Sequence, residues 1–174
     1  MKTNEEEAMT ETSMTMMGDT GSHRVSRIVT KMIALCERIP YSLLALAARI
    51  FPAAVFWQSG ETKVEGWHVT DTAITLFREE YNLPLIDPVI AAHLSAFAEH
   101  VFPVLLVFGL ASRFAALALL GMTLVIEIFV YPYAWPTHGT WAACFLLIIA
   151  RGPGMIAFDH LIQIYVRPRC QASQ

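Results

Sequence analysis

Residues 89–110 read VIAAHLSAFAEHVFPVLLVFGL, an apolar run long enough to cross a bilayer that nevertheless contains the carboxylate of Glu99. Further apolar runs occupy residues 41–57, 114–131 and 135–150. The chain is 55% hydrophobic and 16% charged, whereas an average soluble domain has roughly 25% charged residues. The sequence therefore predicts an all-α integral membrane protein, a four-helix up-down bundle whose surface contacts the lipid bilayer.

The segment before the first span divides into two parts. Residues 1–23 are rich in Met, Thr, Glu and Ser and predict a disordered tail. In residues 24–39, apolar side chains recur at helical spacing and basic side chains fill the other positions. This pattern predicts an amphipathic helix, lying flat on an anionic membrane surface or, as the alternative, extending the first span into the cytoplasm.

The loop at residues 58–88 is too long for a simple hairpin, and residues 70–81 have a second amphipathic pattern. The apolar face consists of Ala73, Ile74, Phe77 and Tyr81. We expect a short extracytoplasmic loop helix here, serving as a lid over the bundle or merely sealing the loop.

A four-span topology places three segments on the same side of the membrane: the one before the first span, the one between the second and third spans, and the one after the fourth. All three contain basic residues. These are Arg24, Arg27, Lys31, Arg38, Arg113, Arg151, Arg167 and Arg169. The opposite loops hold only Lys63 and Arg78. By the positive-inside rule, this multi-pass protein has both termini in the cytoplasm.

Charged residues inside apolar runs are the candidate functional groups, because a bilayer tolerates them only with a partner or a water-filled cavity. Arg49 lies about 12 Å into the first span and Glu99 about 15 Å into the second, from opposite ends. The predicted equal depth favours a buried ion pair between Arg49 and Glu99.

Glu127 lies about 6 Å from the outer end of the third span. We expect His93 and His138 near it, and His100 on nearly the same helix face as His93. Together these residues predict a pocket or proton relay, and the alternative is that each histidine simply makes a hydrogen bond between helices. No spacing motif such as HExxH is present, so no metal site is predicted.

Other classes of function lack support in the sequence. The net charge of −3 and the scattered acidic residues do not indicate binding of nucleic acid. Cys36, Cys144 and Cys170 have no CxxC spacing and are expected to be free thiols. No nucleophile motif, phosphate loop or dinucleotide fingerprint occurs, so neither a reaction nor a cofactor can be derived.

The chain contains an ordered set of short motifs. It comprises Arg49, Ser59, Gly60, Lys63, Glu99, the run GLASRFAA at residues 109–116 with Arg113, then Arg151, Gly152, Pro153, Gly154 and Asp159. This set resembles the DoxX family of small bacterial membrane proteins. The resemblance covers residues 41–161, within a predicted membrane domain at residues 41–166. It implies a four-helix bundle in the bacterial inner membrane. Many members carry a His-Gly pair after the first span, whereas Gln58, Ser59 and Gly60 stand there in this chain.

Some DoxX members are associated with quinone-linked sulfur oxidation or membrane-attached redox complexes, so the resemblance implies a membrane subunit of a partner oxidoreductase with a quinone as candidate cofactor. The alternative is a non-enzymatic scaffold that docks a partner protein. A transporter is less favoured because the chain has only four predicted spans and no internal repeat. Small residues such as Ala45 and Gly121 allow close helix approach within the chain or in a homo-oligomer, so the oligomeric state stays open.

Overall fold

The structure is a computed structural model that describes residues 25–171, with side chains described as far as residue 165. Residues 25–40 belong to a first unit and the chain from Tyr41 onward to a second. In the first unit, residues 25–36 form helix α1, on which the apolar side chains of Val25, Ile28 and Met32 are exposed. The predicted tail and Arg24 lie outside the described residues.

The second unit begins with helix α2 (Tyr41–Glu61), which is longer than the predicted first span. The other elements follow in chain order. They are strands β1 (Val64–Glu65) and β2 (His68–Val69), helix α3 (Asp71–Leu76) with a π-helical turn (Phe77–Tyr81), and helices α4 (Pro88–Phe108), α5 (Ser112–Phe129), α6 (Trp135–Arg151) and α7 (Phe158–Gln171).

Four of these helices pack around a common core. Helix α2 contacts α4 and α6, and α5 contacts the same two helices. Phe56 of α2 packs its ring edge-on against Trp141 of α6, with centroids 5.6 Å apart, while the Tyr41 hydroxyl donates to the Gly152 carbonyl at the other end of α6. Helices α2 and α6 are therefore antiparallel.

Three of the described helices, α2, α4 and α5, are long and apolar enough to cross a membrane. Helix α6 has 17 residues and is not among them. The predicted four spans are thus supported at three positions. Helix α6 corresponds to the fourth predicted run, and its Phe145 and Ile148 side chains are completely buried in the core.

Helices α2 and α4 are antiparallel, but the end of α2 and the start of α4 are offset along the helix axes. A Cβ added at Gly60, the penultimate residue of α2, would lie 3.1 Å from the Glu99 Cβ. Glu99 is the twelfth residue of α4, so about the first ten residues of α4 extend beyond the end of α2. This offset leaves room beside the start of α4, which the loop after α2 fills.

The loop helix packs on the projecting part of α4 as the amphipathic pattern predicts. Thr70 caps α3 by accepting a hydrogen bond from the Ala73 amide, and Phe77 is buried against Ala91 and Ala92 of α4. Strands β1 and β2 form an antiparallel hairpin that connects α2 to this helix. The hairpin and loop helix thereby bring residues after α2 next to Glu99.

Candidate functional site

Glu99 forms an ion pair with Lys63, a residue two positions beyond the end of α2. The Lys63 ammonium nitrogen lies 2.8 Å from Glu99 Oε2 and 3.1 Å from Oε1, and the two side chains are 4% and 2% exposed. The hairpin base fixes the lysine backbone, since the Lys63 amide donates to Gly60 and its carbonyl accepts from Thr70. Both charges are therefore removed from water and neutralise each other.

Two serine hydroxyls complete the surroundings of Glu99. Ser59 Oγ on α2 and Ser95 Oγ on α4 each donate to Glu99 Oε1 over 3.3 Å. The Lys63 ammonium also donates to Ser59, to Oγ at 2.9 Å and to the carbonyl oxygen at 3.1 Å. Ser59 thus orients both charged groups at once.

Gly60 permits the close contact of α2 with α4 at this level. A Cβ at this position would lie 2.8 Å from His100 Cε1 and 3.1 Å from Glu99 Cβ. The His100 ring also packs edge-on against Trp57, with centroids 4.9 Å apart. The glycine therefore allows the close approach at which Ser59 and Lys63 reach Glu99.

A cavity of about 260 Å³ opens beside this cluster, between α4, α5 and the loop helix. Glu99, Ser59 and Ser95 form its polar end. Its walls are mostly apolar and include Leu94, Met122, Val125, Ile126 and Phe77. The combination of an apolar chamber with a few convergent polar groups is typical of a site for a small ligand.

Tyr81 lies in the cavity wall, at the end of the loop helix. Burial is the main cause that raises the pKa of its phenol to about 12, and the neighbouring Tyr131 and Glu99 contribute. The phenol therefore stays protonated at neutral pH.

The predicted pair between Arg49 and Glu99 is not formed. Arg49 is completely buried and donates from Nη2 to the Ile156 carbonyl at 2.5 Å and from Nη1 to the Val107 carbonyl at 3.4 Å. The prediction placed the two residues at equal depth because it ended the first helix at residue 57. It also assumed that this end and the start of the second span lie at the same height in the membrane. Since residue 60 lies beside Glu99, Arg49 is about 16 Å away along α2.

Arg49 instead stabilises the opposite end of the bundle. Val107 belongs to the last turn of α4, where free carbonyls carry partial negative charge that a guanidinium neutralises. Gly109 makes this approach feasible, because a Cβ there would lie only 2.4 Å from Arg49 Nη1. Arg49 therefore joins the end of α4 to the segment after α6.

Glu127 and His138 are brought together as a second polar pair. Their Oε2 and Nδ1 atoms are 2.5 Å apart, and the imidazole packs against Trp141 with ring centroids 5.0 Å apart. His93 does not join them: its Nδ1 lies 2.8 Å from the Val89 carbonyl of its own helix, and the side chain is exposed.

His100 likewise bonds within its own helix, with Nδ1 2.7 Å from the Ala96 carbonyl. The expected stripe of histidines is therefore not a continuous relay. Among the described residues, no three His, Cys, Asp or Glu side chains are grouped as a metal ion would need.

The remaining motif residues cluster where α4, α5 and α7 begin or end. Asp159 accepts from the Ala111 and Ser112 amides at 2.8 Å each and from the Ser112 hydroxyl, which caps the start of α5. Gly152 and Gly154 both have positive φ angles, and a Cβ at Gly154 would lie 3.0 Å from the Ser42 Cα. Arg113 lies beside Gly152, and Arg151 ends α6. These residues shape the chain turns.

Residues 44–132 match a family model described as DoxX. This match covers just over half of the 174 residues and includes α4, α5 and most of α2. The chain belongs to the DoxX family. Comparisons with curated proteins and with solved structures found no match. Helix α6 and Asp159 lie beyond the matched region, whereas Ser59, Lys63 and Glu99 lie within it.

Sequence reasoning missed the partnership of Lys63 with Glu99, because it assigned the lysine to a loop outside the bundle. A usable signal was present: Lys63 follows Ser59 by four residues, so a helix continued past residue 57 brings the lysine within about one helical turn of the serine. The sequence thus contained the lysine, the serine and their spacing, but gave no measure of where α2 ends.

Proposed function

We propose that this DoxX protein is a membrane subunit for redox chemistry that binds a quinone or a similar lipid-soluble molecule beside Glu99. The observation that carries the proposal is the cavity of about 260 Å³ with an apolar interior and Glu99 at its polar end. A quinone has the same division into a polar head and an apolar body. The redox step itself belongs to a partner oxidoreductase in this proposal.

The position of the cavity favours a ligand that arrives from the bilayer. Leu94 of α4 and Val125 of α5 line it and remain 56% and 41% exposed. In a membrane, this rim faces lipid tails, since α4 and α5 are both candidate spans. On the other side, Phe77 and Tyr81 of the loop helix cover the cavity. A membrane-dissolved ligand can therefore enter without passing through water.

The proposal includes four spans in the bacterial inner membrane, with both termini in the cytoplasm. Its support is the distribution of Lys and Arg along the sequence and the packing of α6 against α2 and α5. Alkaline phosphatase fused within residues 82–87 should be active, and the same enzyme fused at either terminus should be inactive. An active fusion at the C-terminus contradicts the four-span topology.

Quinone retention tests the binding function. Protein purified in mild detergent is extracted with organic solvent, and the quinone is quantified per mole of protein. Ala118 lines the cavity, so Ala118→Leu should fill it and lower the quinone content. Gly121 of the same helix has open space around it, so Gly121→Leu is the matched control and should retain quinone.

The glutamate is tested in the same assay. Glu99→Gln should also lower the quinone content, whereas Glu61→Gln changes an exposed carboxylate at the end of α2 and should not. Folded Glu99→Gln and Ala118→Leu proteins with unchanged quinone content would count against the proposed function.

A second candidate function is docking of a partner protein. It is favoured by the exposed apolar side chains of α1, including Ile28 and Met32, which alternate with basic residues. Deleting residues 24–39 should then release a co-purifying protein while the membrane domain stays folded. The absence of any such protein from mild-detergent preparations contradicts this alternative.

A further inference from the structure

Helix α7 is held at its start against the ends of two candidate spans. The Asp159 amide donates to the Gly109 carbonyl at 2.8 Å, directly after α4, and the Asp159 carboxylate accepts from the Ser112 amide at the start of α5. The Phe158 ring packs against Phe108, the last residue of α4, with centroids 6.3 Å apart. Helix α7 therefore begins at the level where α4 ends and α5 begins.

The described side chains of α7 form an apolar face at the i, i+3, i+4 and i+7 positions of a helix. The face consists of Phe158, Leu161, Ile162 and Tyr165. All four side chains are between 48% and 77% exposed. Gln163 lies on the opposite side of the helix and is also exposed. This pattern is typical of a helix that lies in the plane of a membrane surface.

An apolar groove of about 310 Å³ continues from this face to the bundle. Its walls are apolar side chains from α2, α4, α7 and the segment before α7, among them Leu46, Phe108, Met155 and Leu161. The side chains of Phe108 and Met155 remain 57% and 70% exposed, so the groove is open to the surroundings of the bundle. The groove and the apolar face of α7 together form one continuous apolar surface.

The start of α7 lies at a level that another candidate span still crosses. Arg49 of α2 donates to Val107 in the last turn of α4 and to Ile156 just before α7, so these residues lie at similar height. Helix α2 begins at Tyr41, eight residues before Arg49, and therefore continues about 12 Å further along the bundle. Because α2 is a candidate span, a membrane that it crosses surrounds this level with lipid.

We propose that α7 is an interfacial helix whose partner is the lipid bilayer. Its apolar face rests on acyl chains at the membrane surface where α4 ends, one chain lies in the groove, and Gln163 faces water. Lipid is favoured over a second copy of the chain because the apolar face continues the exposed side chain of Phe108, which belongs to a span. In the topology proposed above, this is the cytoplasmic surface, and the binding of a quinone is not required.

Spin labels on the two faces of α7 test this placement. In a background in which Cys36, Cys144 and Cys170 are replaced by alanine, Ile162→Cys or Gln163→Cys supplies one labelling site. The labelled full-length protein is placed in nanodiscs of phosphatidylethanolamine and phosphatidylglycerol. Power saturation in electron paramagnetic resonance then measures collisions with oxygen, which concentrates in lipid, and with a neutral nickel chelate, which stays in water. The ratio of oxygen to nickel collisions should be higher at Ile162 than at Gln163.

A charge on the apolar face provides a second test. Leu161→Glu places a carboxylate among acyl chains, which a membrane disfavours, so the oxygen-to-nickel ratio of the label at Ile162 should fall. Gln163→Glu is the matched control, since it adds the same charge on the water-facing side and should leave that ratio unchanged.

Three results would overturn the proposal. Frequent nickel collisions at both labelled positions mean that α7 lies in water. Few collisions with either reagent at Ile162 mean that protein, such as a second copy of the chain, covers the apolar face. An unchanged ratio in Leu161→Glu means that the apolar face does not hold the helix at the membrane. None of these results depends on the quinone content, so the proposed function is tested separately.

Discussion

Replacing Lys63 by methionine should destabilise the protein strongly, because it leaves the Glu99 carboxylate buried without a counter-charge. The Glu99 side chain is 2% exposed, so water cannot replace the ammonium. Removing one partner of a buried ion pair costs about 3–5 kcal/mol. The serine hydroxyls on Oε1 remain, which places the expected loss at the lower end, about 3 kcal/mol.

The free energy of unfolding is measured by reversible titration with sodium dodecyl sulfate in mixed micelles, using circular dichroism. The double variant Lys63→Met with Glu99→Gln should recover much of the loss, since a neutral amide still accepts from Ser59 and Ser95. Lys31→Met in α1 changes an exposed lysine and should stay within about 0.5 kcal/mol of the wild type. A loss below about 1 kcal/mol for Lys63→Met, or strictly additive effects in the double variant, would refute the assignment of a buried ion pair.

Three further predictions use the same protein preparation. Gly109 has φ of +71° and no room for a Cβ, so Gly109→Ala should cost more than about 2 kcal/mol, whereas Gly121→Ala in the open middle of α5 should be neutral or stabilising. Asp159→Ala removes the cap of α5 and should cost about 1–2 kcal/mol in the same unfolding titration, and an unchanged stability contradicts the capping role. Nitrogen NMR should find the proton of neutral His138 on Nδ1, facing Glu127, and a dominant Nε2–H form in the wild type contradicts the pair.

The secondary structure was predictable where apolar periodicity is long and interrupted by clear end signals. Helix α4 begins at Pro88 after the capping carboxylate of Asp87 and ends at Phe108, just before Gly109, which is close to the predicted run. The loop helix was predictable because Ala73 and Phe77 repeat at helical spacing, and both are buried. In these segments, local sequence and tertiary packing agree.

The relative height of two helices was not predictable, since it depends on packing between distant residues. The polar sequence WQSGE at residues 57–61 reads as the end of a span, yet α2 continues through it. Gly60 permits contact with Glu99 only in the register that the folded protein adopts. Because the ends of α2 and α4 are offset along the bundle, Glu99 pairs with Lys63 and not with Arg49, the partner that the sequence predicted.

Arg49 and Glu99 have different surroundings, which indicate different roles for the two residues. Arg49 donates to two backbone carbonyls, and its contacts hold α4 against the chain after α6. Glu99 borders an apolar cavity, and Lys63 neutralises its charge. A purely structural ion pair gains nothing from an adjacent chamber, because an unfilled space costs packing energy. The cavity beside Glu99 therefore supports the proposal that a ligand fills it.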